Sequence, residues 1–163
     1  MKRLFILRHA KSSWKDETLD DFDRPLNKRG KNDLNIMYKV IDRFLKQTNT
    51  DIEYLLSSSS VRTTLTIEAI FPEKEIDYKF DLYNADENKL RTCVEYLSDE
   101  YDTVLVCGHN TAITSFVNSY GNKQIDNVPT CAFCEIVFDC ESWHDIDKQN
   151  GRLSAFEYPK KYY

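Results

Sequence analysis

Residues 4–14 read LFILRHAKSSW, an apolar run that stops abruptly on a cation beside an imidazole, Arg8-His9. Four consecutive apolar residues, Leu4 to Leu7, suit a strand covered on both faces, where no side chain has to meet water. Two further segments repeat the form. Ile52 to Leu56 reads as a strand leading into Ser57-Ser58-Ser59-Ser60, with Arg62 just inside the helix that follows. Thr103 to Cys107 reads as a buried strand ending on Gly108-His109-Asn110, where the glycine permits the turn and Asn110 caps the next helix.

Helical patterns fill the spaces between these strands. Leu34, Met37, Ile41, Phe44 and Leu45 recur at helical spacing behind a candidate N-cap, Asn27, that follows Pro25. Val61, Leu65, Ile67 and Ile70 mark a second helix, Asp86 to Leu97 a third with Asp86 as its cap, and Ile113, Phe116 and Val117 a fourth. Asp77 to Phe80 reads as a short strand. Cys134–Phe138 and Leu153–Phe156 read as two more, around a polar turn containing Asn150-Gly151. Strand and helix alternate without repeats or linkers. The pattern predicts an α/β three-layer sandwich over residues 1–163, one domain with a mostly parallel central sheet and helices on both faces.

Composition narrows the function. Of 163 residues, 41% are hydrophobic and 13% aromatic, which suits a packed core and not a disordered chain. The net charge of −5 argues against duplex nucleic acid as a partner. No apolar run nears the roughly 20 residues that cross a bilayer, and Met1 to Leu7 is too short for a signal peptide. The expectation is a cytoplasmic monomer without a membrane partner. Five cysteines, Cys93, Cys107, Cys131, Cys134 and Cys140, lie scattered in apolar segments and read as free thiols. The CAFC stretch lacks a second pair to complete a zinc set, and a strand puts its two thiols on opposite faces.

In parallel sheets ligands gather beyond the carboxyl ends of the strands, so the three strand ends share one address. Taken singly, each has a plain explanation: Arg8-His9 as the start of a loop, the serines as cap chemistry, Arg62 as a helix surface charge. Together they place two arginines and two of the three histidines on one rim, beside helix N-termini. Such a set makes an anion site, and phosphate is its natural occupant. Arg24, in DFDRPL, is either a further phosphate contact or one half of a surface ion pair with Asp21 or Asp23. The acidic stretch Asp16 to Asp23 reads otherwise as a solvated loop, Trp14 as a lid packed over that loop, and His144 as a surface residue.

The chain at this point resembles the histidine phosphatase superfamily. The resemblance is carried by LRHAKSSW, DFDRPLNKRG, SSSSVRTTLT and VCGHN, in that order. The short chain and its RHAKSSW…RPLNKRG wording are most similar to the SixA-type phosphohistidine phosphatases. The resemblance implies the phosphoglycerate mutase-like fold, His9 as a nucleophile that becomes phosphorylated, Arg8 and Arg62 as a phosphate clamp, and His109 as a donor to the phosphoryl oxygens. It places Ser12 as a small hydroxyl near the phosphate, and implies no metal and no cofactor. Ala10 departs from the usual glycine, Leu65 from a glutamine before Thr66, and Lys15 from the asparagine of the mutase-like branch.

The broader family draws a carboxylic acid from the segment after the third strand. Here that segment offers Asn84, Asp86 and Glu87 with no insertion to aim one of them. An imidazole, with a pKa of about 6.5, is a good leaving group once protonated and needs no such acid, whereas an alkoxide does. The expectation is a metal-independent phosphatase for a phosphorylated protein or a small phosphoester, with nitrogen-linked phosphate preferred. A phosphate-binding module without turnover and a phosphomutase are the competing readings.

Overall fold

The computed structural model describes residues 1–163. Its strands are β1 (Lys2–Arg8), β2 (Tyr54–Ser58), β3 (Asp77–Lys79), β4 (Thr103–Gly108), β5 (Phe133–Phe138) and β6 (Gly151–Glu157). Its helices are α1 (Lys28–Gln47), α2 (Val61–Ile70), α3 (Glu87–Glu95) and α4 (Ala112–Tyr120). One six-stranded sheet runs in the order β3-β2-β4-β1-β5-β6.

The four apolar residues of β1 explain why it is central. Leu4 and Ile6 join one core with Leu56, Val104 and Val106, and there Leu90 and Val94 of α3 meet Ile113, Phe116 and Val117 of α4. Phe5 and Leu7 point the other way, into a core with Leu55, Leu105 and Cys107 beneath Leu34, Met37 and Ile41 of α1 and Ile67 and Ile70 of α2. A strand alternates faces at each residue, so only an unbroken apolar run can serve two cores at once. Fully burying one such side chain contributes about 1.5–3 kcal/mol. The caps fall where the side chains predict: Asn27 accepts from the Gly30 amide, and Asp86 from the Lys89 amide.

The sheet is mixed, which corrects the expectation of a mostly parallel one. β1, β2, β3 and β4 pair in parallel, but β5 is antiparallel to both β1 and β6. The cause lies between α4 and β5. Residues 121–132 offer no apolar run for a strand, so the chain returns to the Arg8 end as loop and re-enters the sheet pointing the other way. The loop is tied there by the Cys131 amide, which donates to the carbonyls of Arg8 and His9.

Smaller boundaries move as well. β2 begins at Tyr54 and extends through Ser58, so Ser57 and Ser58 belong to the strand and not to the turn after it. Phe80 opens a short 3-10 turn, α3 ends before Leu97, and Leu65 of α2 faces solvent. All five thiols are free. Cys131 and Cys134 join opposite cores, and burial pushes the Cys134 thiol up to about 12, leaving both inert at neutral pH. No helix is long and apolar enough to cross a membrane.

Candidate active site

The parallel register of β1 and β4 sets Arg8 opposite Gly108, so the residues that follow, His9 and His109, leave the sheet side by side. The His9 amide donates to the Gly108 carbonyl at 3.2 Å, and the two imidazole centroids lie 5.2 Å apart. The next parallel neighbour, β2, brings Ser58, whose hydroxyl lies 2.8 Å from His109 Nε2. Ser60 caps α2, placing Arg62 in the first helical turn over the same end of the sheet. Arg8, His9, Arg62 and His109 line one cavity of about 380 Å³.

The His9 ring is oriented by its own neighbour. Nδ1 lies 2.7 Å from the Ala10 carbonyl, an acceptor only, so this nitrogen carries the proton and Nε2 keeps its lone pair. Ala10 is fixed in turn, its amide donating to Thr66 Oγ1 at 2.9 Å. Burial first, then the charges of Arg62, Arg8 and Arg24, push the His9 pKa down to about 4 against the hydrogen bond to Ala10. Burial and the neighbouring His9 and Arg62 push His109 down to about 3. Both imidazoles are therefore neutral at physiological pH.

Arg8 donates to the Val128 carbonyl at 2.7 Å, and burial lowers its pKa without removing its charge. Arg8 Nε, Arg62 Nε and His109 Nδ1 are all buried and have no hydrogen-bond partner in the protein. Unpaired buried polar atoms are costly and rare. Here three of them fall on residues that line one cavity.

Arg24 and Ser12 also line the cavity and touch each other, Nη1 donating to the Ser12 hydroxyl at 2.8 Å. Arg24 does pair with Asp21, at 3.0 Å, but from a buried guanidinium, only 7% exposed, reaching a half-exposed carboxylate. Asp21 corrects the reading of residues 16–23 as a plain solvated loop. Its carboxylate accepts from Arg24, Arg62 and the Tyr83 hydroxyl. The Tyr83 hydrogen bond first, then the two arginines, hold it down at about 2 against the effect of burial.

Sequence reasoning missed both Asp21 and Tyr83 as cavity residues. The spacing Asp21…Arg24 within one 3-10 turn (Asp21–Asp23 and its cap) was the available signal for the first. Nothing local marks Tyr83, which reaches the site through its packing against Phe22, ring centroids 4.9 Å apart. Of Asn84, Asp86 and Glu87, only Asn84 lines the cavity; Asp86 is spent capping α3, and Glu87 lies outside. His144 sits exposed on the Trp143–Asp145 turn, away from the site. The cavity wall carries three arginines, Arg8, Arg24 and Arg62, and Lys11, a set suited to an anion, and Asp21 is the only carboxylate there.

No protein-family model matches the chain. It is 29% identical to an uncharacterized chloroplastic protein of Arabidopsis thaliana, over 92% of this chain and 72% of that one. An uncharacterized protein of Mycobacterium leprae is 24% identical, over 94% of this chain and all of the other. Among solved structures, a protein described as the phosphohistidine phosphatase SixA of Agrobacterium tumefaciens superposes with a TM-score of 0.79 at 23% identity, covering 97% and 98% of the two chains. The protein histidine phosphatase SixA complexed with tungstate gives 0.77 at 20%, covering 98% of each. A mycobacterial glucosyl-3-phosphoglycerate phosphatase gives 0.73 at 12%, covering 97% and 100%. The fold is that of the histidine phosphatase superfamily. Within it, the neighbours include the small SixA-type chains, matched nearly end to end.

Proposed function

We propose that the chain is a phosphatase that works through a covalent phosphohistidine on His9, on a phosphorylated protein or a small phosphoester. The observation that carries this is that two unpartnered buried donors, Arg8 Nε and Arg62 Nε, and the unpartnered ring nitrogen Nδ1 of His109 belong to residues lining one cavity with a histidine whose Nε2 is left with its lone pair. Phosphoryl transfer asks a protein mainly for positioning and for charge opposite three equatorial oxygens. The arginines supply permanent planar charge, and His109 adds a neutral imidazole beside them.

In the first step His9 Nε2 attacks phosphorus in line, a P–N bond forms, and the bond to the leaving group breaks with its electron pair. The proton stays on Nδ1, donated in a hydrogen bond to the Ala10 carbonyl, which stabilises the charge that develops on the ring. In the second step water attacks the phosphohistidine, the P–N bond breaks, and inorganic phosphate leaves. Covalent capture divides one difficult displacement into two. The clamp brings the positive charge that the reaction needs, and this supports a metal-independent reading.

The leaving group is the informative part. No carboxylic acid faces the site to protonate it, because the Asp21 carboxyl is held at about 2 and stays ionised. An imidazole that already carries a proton on its other nitrogen departs as a neutral group without such help. This favours nitrogen-linked phosphate, as in phosphohistidine, over an alkyl ester. The test is incubation with a small phosphodonor such as phosphoramidate, followed by a search for an acid-labile, base-stable phosphoenzyme. The adduct forms on the parent protein and is lost in His9→Ala. If no donor gives an adduct and none is turned over, the chain is a phosphate-binding module and the proposal fails.

A further inference from the structure

Trp14 is 69% exposed, yet it is not loose. The Arg24 guanidinium lies over its ring, 3.5 Å from the centroid, and Arg24 is itself buried and held by Asp21 and Ser12. The indole is thus pinned from one side on a fixed, hydrogen-bonded plane, which leaves its remaining surface to solvent at the cavity wall. Across the same cavity stands Tyr83, edge-on to His109 at 5.6 Å and backed by Phe22. Phe80, 65% exposed, packs on both Phe22 and Tyr83 at centroid distances of 5.8 Å and 6.0 Å. Exposed aromatic surface is costly in water, and here Trp14 and Tyr83 set theirs on the wall of a polar cavity, with Phe80 packed behind Tyr83.

We infer that Trp14, set on Arg24, is a stacking platform for the leaving group, and that the leaving group carries a planar aromatic ring. The inference rests on the phosphatase reading above and narrows its substrate class. A phosphoryl group held by Arg8, Arg62 and His109 directs its fourth substituent outward along the line of attack, toward the mouth. An aliphatic leaving group gains little from the rim, whereas a flat ring gains from offset or edge-to-face contact. Pre-orientation of the indole by Arg24 removes most of the ordering cost of that contact. Two sources share this chemistry: the imidazole of phosphohistidine and the phenol of an aryl phosphate.

The test compares matched donors that differ in the ring. Phosphohistidine and phospholysine peptides form the nitrogen-linked pair, and phosphotyrosine and phosphoserine peptides the oxygen-linked pair. In Trp14→Leu, the ratio of kcat/KM for the ring donor to that for the ring-free donor falls about three- to tenfold, the scale of one aromatic contact. Trp14→Phe restores most of the ratio. The pair with the higher turnover identifies the source of the ring. A second measurement leaves position 14 intact: in His9→Ala, which cannot cleave, binding of phosphohistidine peptide quenches Trp14 emission and phospholysine peptide does not. Trp143 is fully buried and reports neither. A normal phosphoenzyme with an unchanged ratio in Trp14→Leu overturns the stacking inference alone. Absence of any phosphoenzyme overturns the phosphatase reading instead.

Discussion

Asp21 holds Arg62 from two directions: its main-chain carbonyl accepts from Nη1 at 2.7 Å, and its carboxylate from Nη2 at 3.0 Å. The other carboxylate oxygen takes Arg24 at 3.0 Å. One loop residue therefore cross-links two buried guanidiniums and offsets part of their charge. Asp21→Asn keeps the shape and removes the anion. Breaking a fully buried pair costs about 3–5 kcal/mol, but this carboxylate is 49% exposed, so a loss of roughly 2 kcal/mol is expected. Inorganic phosphate should then raise the melting temperature of the variant more than that of the parent, because an anion replaces the missing charge. Equal shifts in a thermal scan would show that Asp21 does not balance the clamp.

Arg62 makes a further prediction specific to its shape. Both Nη atoms are tied to Asp21 while Nε remains unpaired, so one planar group bridges loop and ligand. A lysine is a single point charge and cannot do both. Arg62→Ala should slow single-turnover phosphoenzyme formation by about 10³ or more, the scale of other phosphate-clamping arginines. Arg62→Lys should recover only a small part of that. Near-complete recovery by lysine would mean that charge alone matters.

Acid should act on both activity and stability through the paired imidazoles. His9 titrates near 4 and His109 near 3 in the folded protein, against about 6.5 in an unfolded chain. Between those values the unfolded state binds more protons, so stability rises with pH across the window and is lost as pH falls from about 6.5 toward 4. Asp21, held at about 2, loses its stabilising contribution as pH falls from the ordinary carboxylate range near 4 toward 2, at and below the acid end of this window. The urea midpoint should fall between pH 7 and pH 4.5, and less so in His109→Gln. Phosphoenzyme formation should hold to about pH 5 and drop near 4, the limb belonging to the coupled pair. A limb near 6.5 would contradict the buried geometry.

What could be read from the sequence follows the range of each interaction. Leu4 to Leu7, Asn27 and Asp86 are local signals, set by burial and capping within a few residues, and they place β1, α1 and α3. Arg8, His9, Arg62 and His109 are legible because strand ends in parallel register share an address. The reversal of β5 is not, since antiparallel and parallel strands of equal burial have the same composition; only the path of residues 121–132 decides. Asp21 and Tyr83 are hidden for a related reason. They meet across 62 residues of chain, through a hydrogen bond of 2.5 Å that no spacing announces.

Thr66 ties the loop after His9 to Arg62. Its hydroxyl accepts from the Ala10 amide at 2.9 Å and donates to the Arg62 carbonyl at 2.7 Å. Thr66→Val preserves volume but leaves the Ala10 N–H buried and unpaired. The expected cost is about 1–3 kcal/mol in a denaturant titration. Phosphoenzyme formation should slow as well, since the Ala10 carbonyl orients His9. A stability loss with an unchanged rate would confine Thr66 to packing.

Gly30 sets two effects of opposite sign against each other. It lies in the first turn of α1, where alanine would favour the helix by up to about 1 kcal/mol. A Cβ there, however, would sit 2.2 Å from the main-chain oxygen of Lys11. That oxygen accepts from the Asn27 amide and belongs to the segment that follows His9, so it cannot yield without moving the loop. Overpacking against a fixed neighbour costs about 1–3 kcal/mol. The clash should win: Gly30→Ala loses stability despite its better helix propensity. The displacement also reaches Ala10, so the first-step rate falls with it. A stabilised Gly30→Ala with full activity would show that the loop at Lys11 has room to give, and that His9 is not held as tightly as its partners imply.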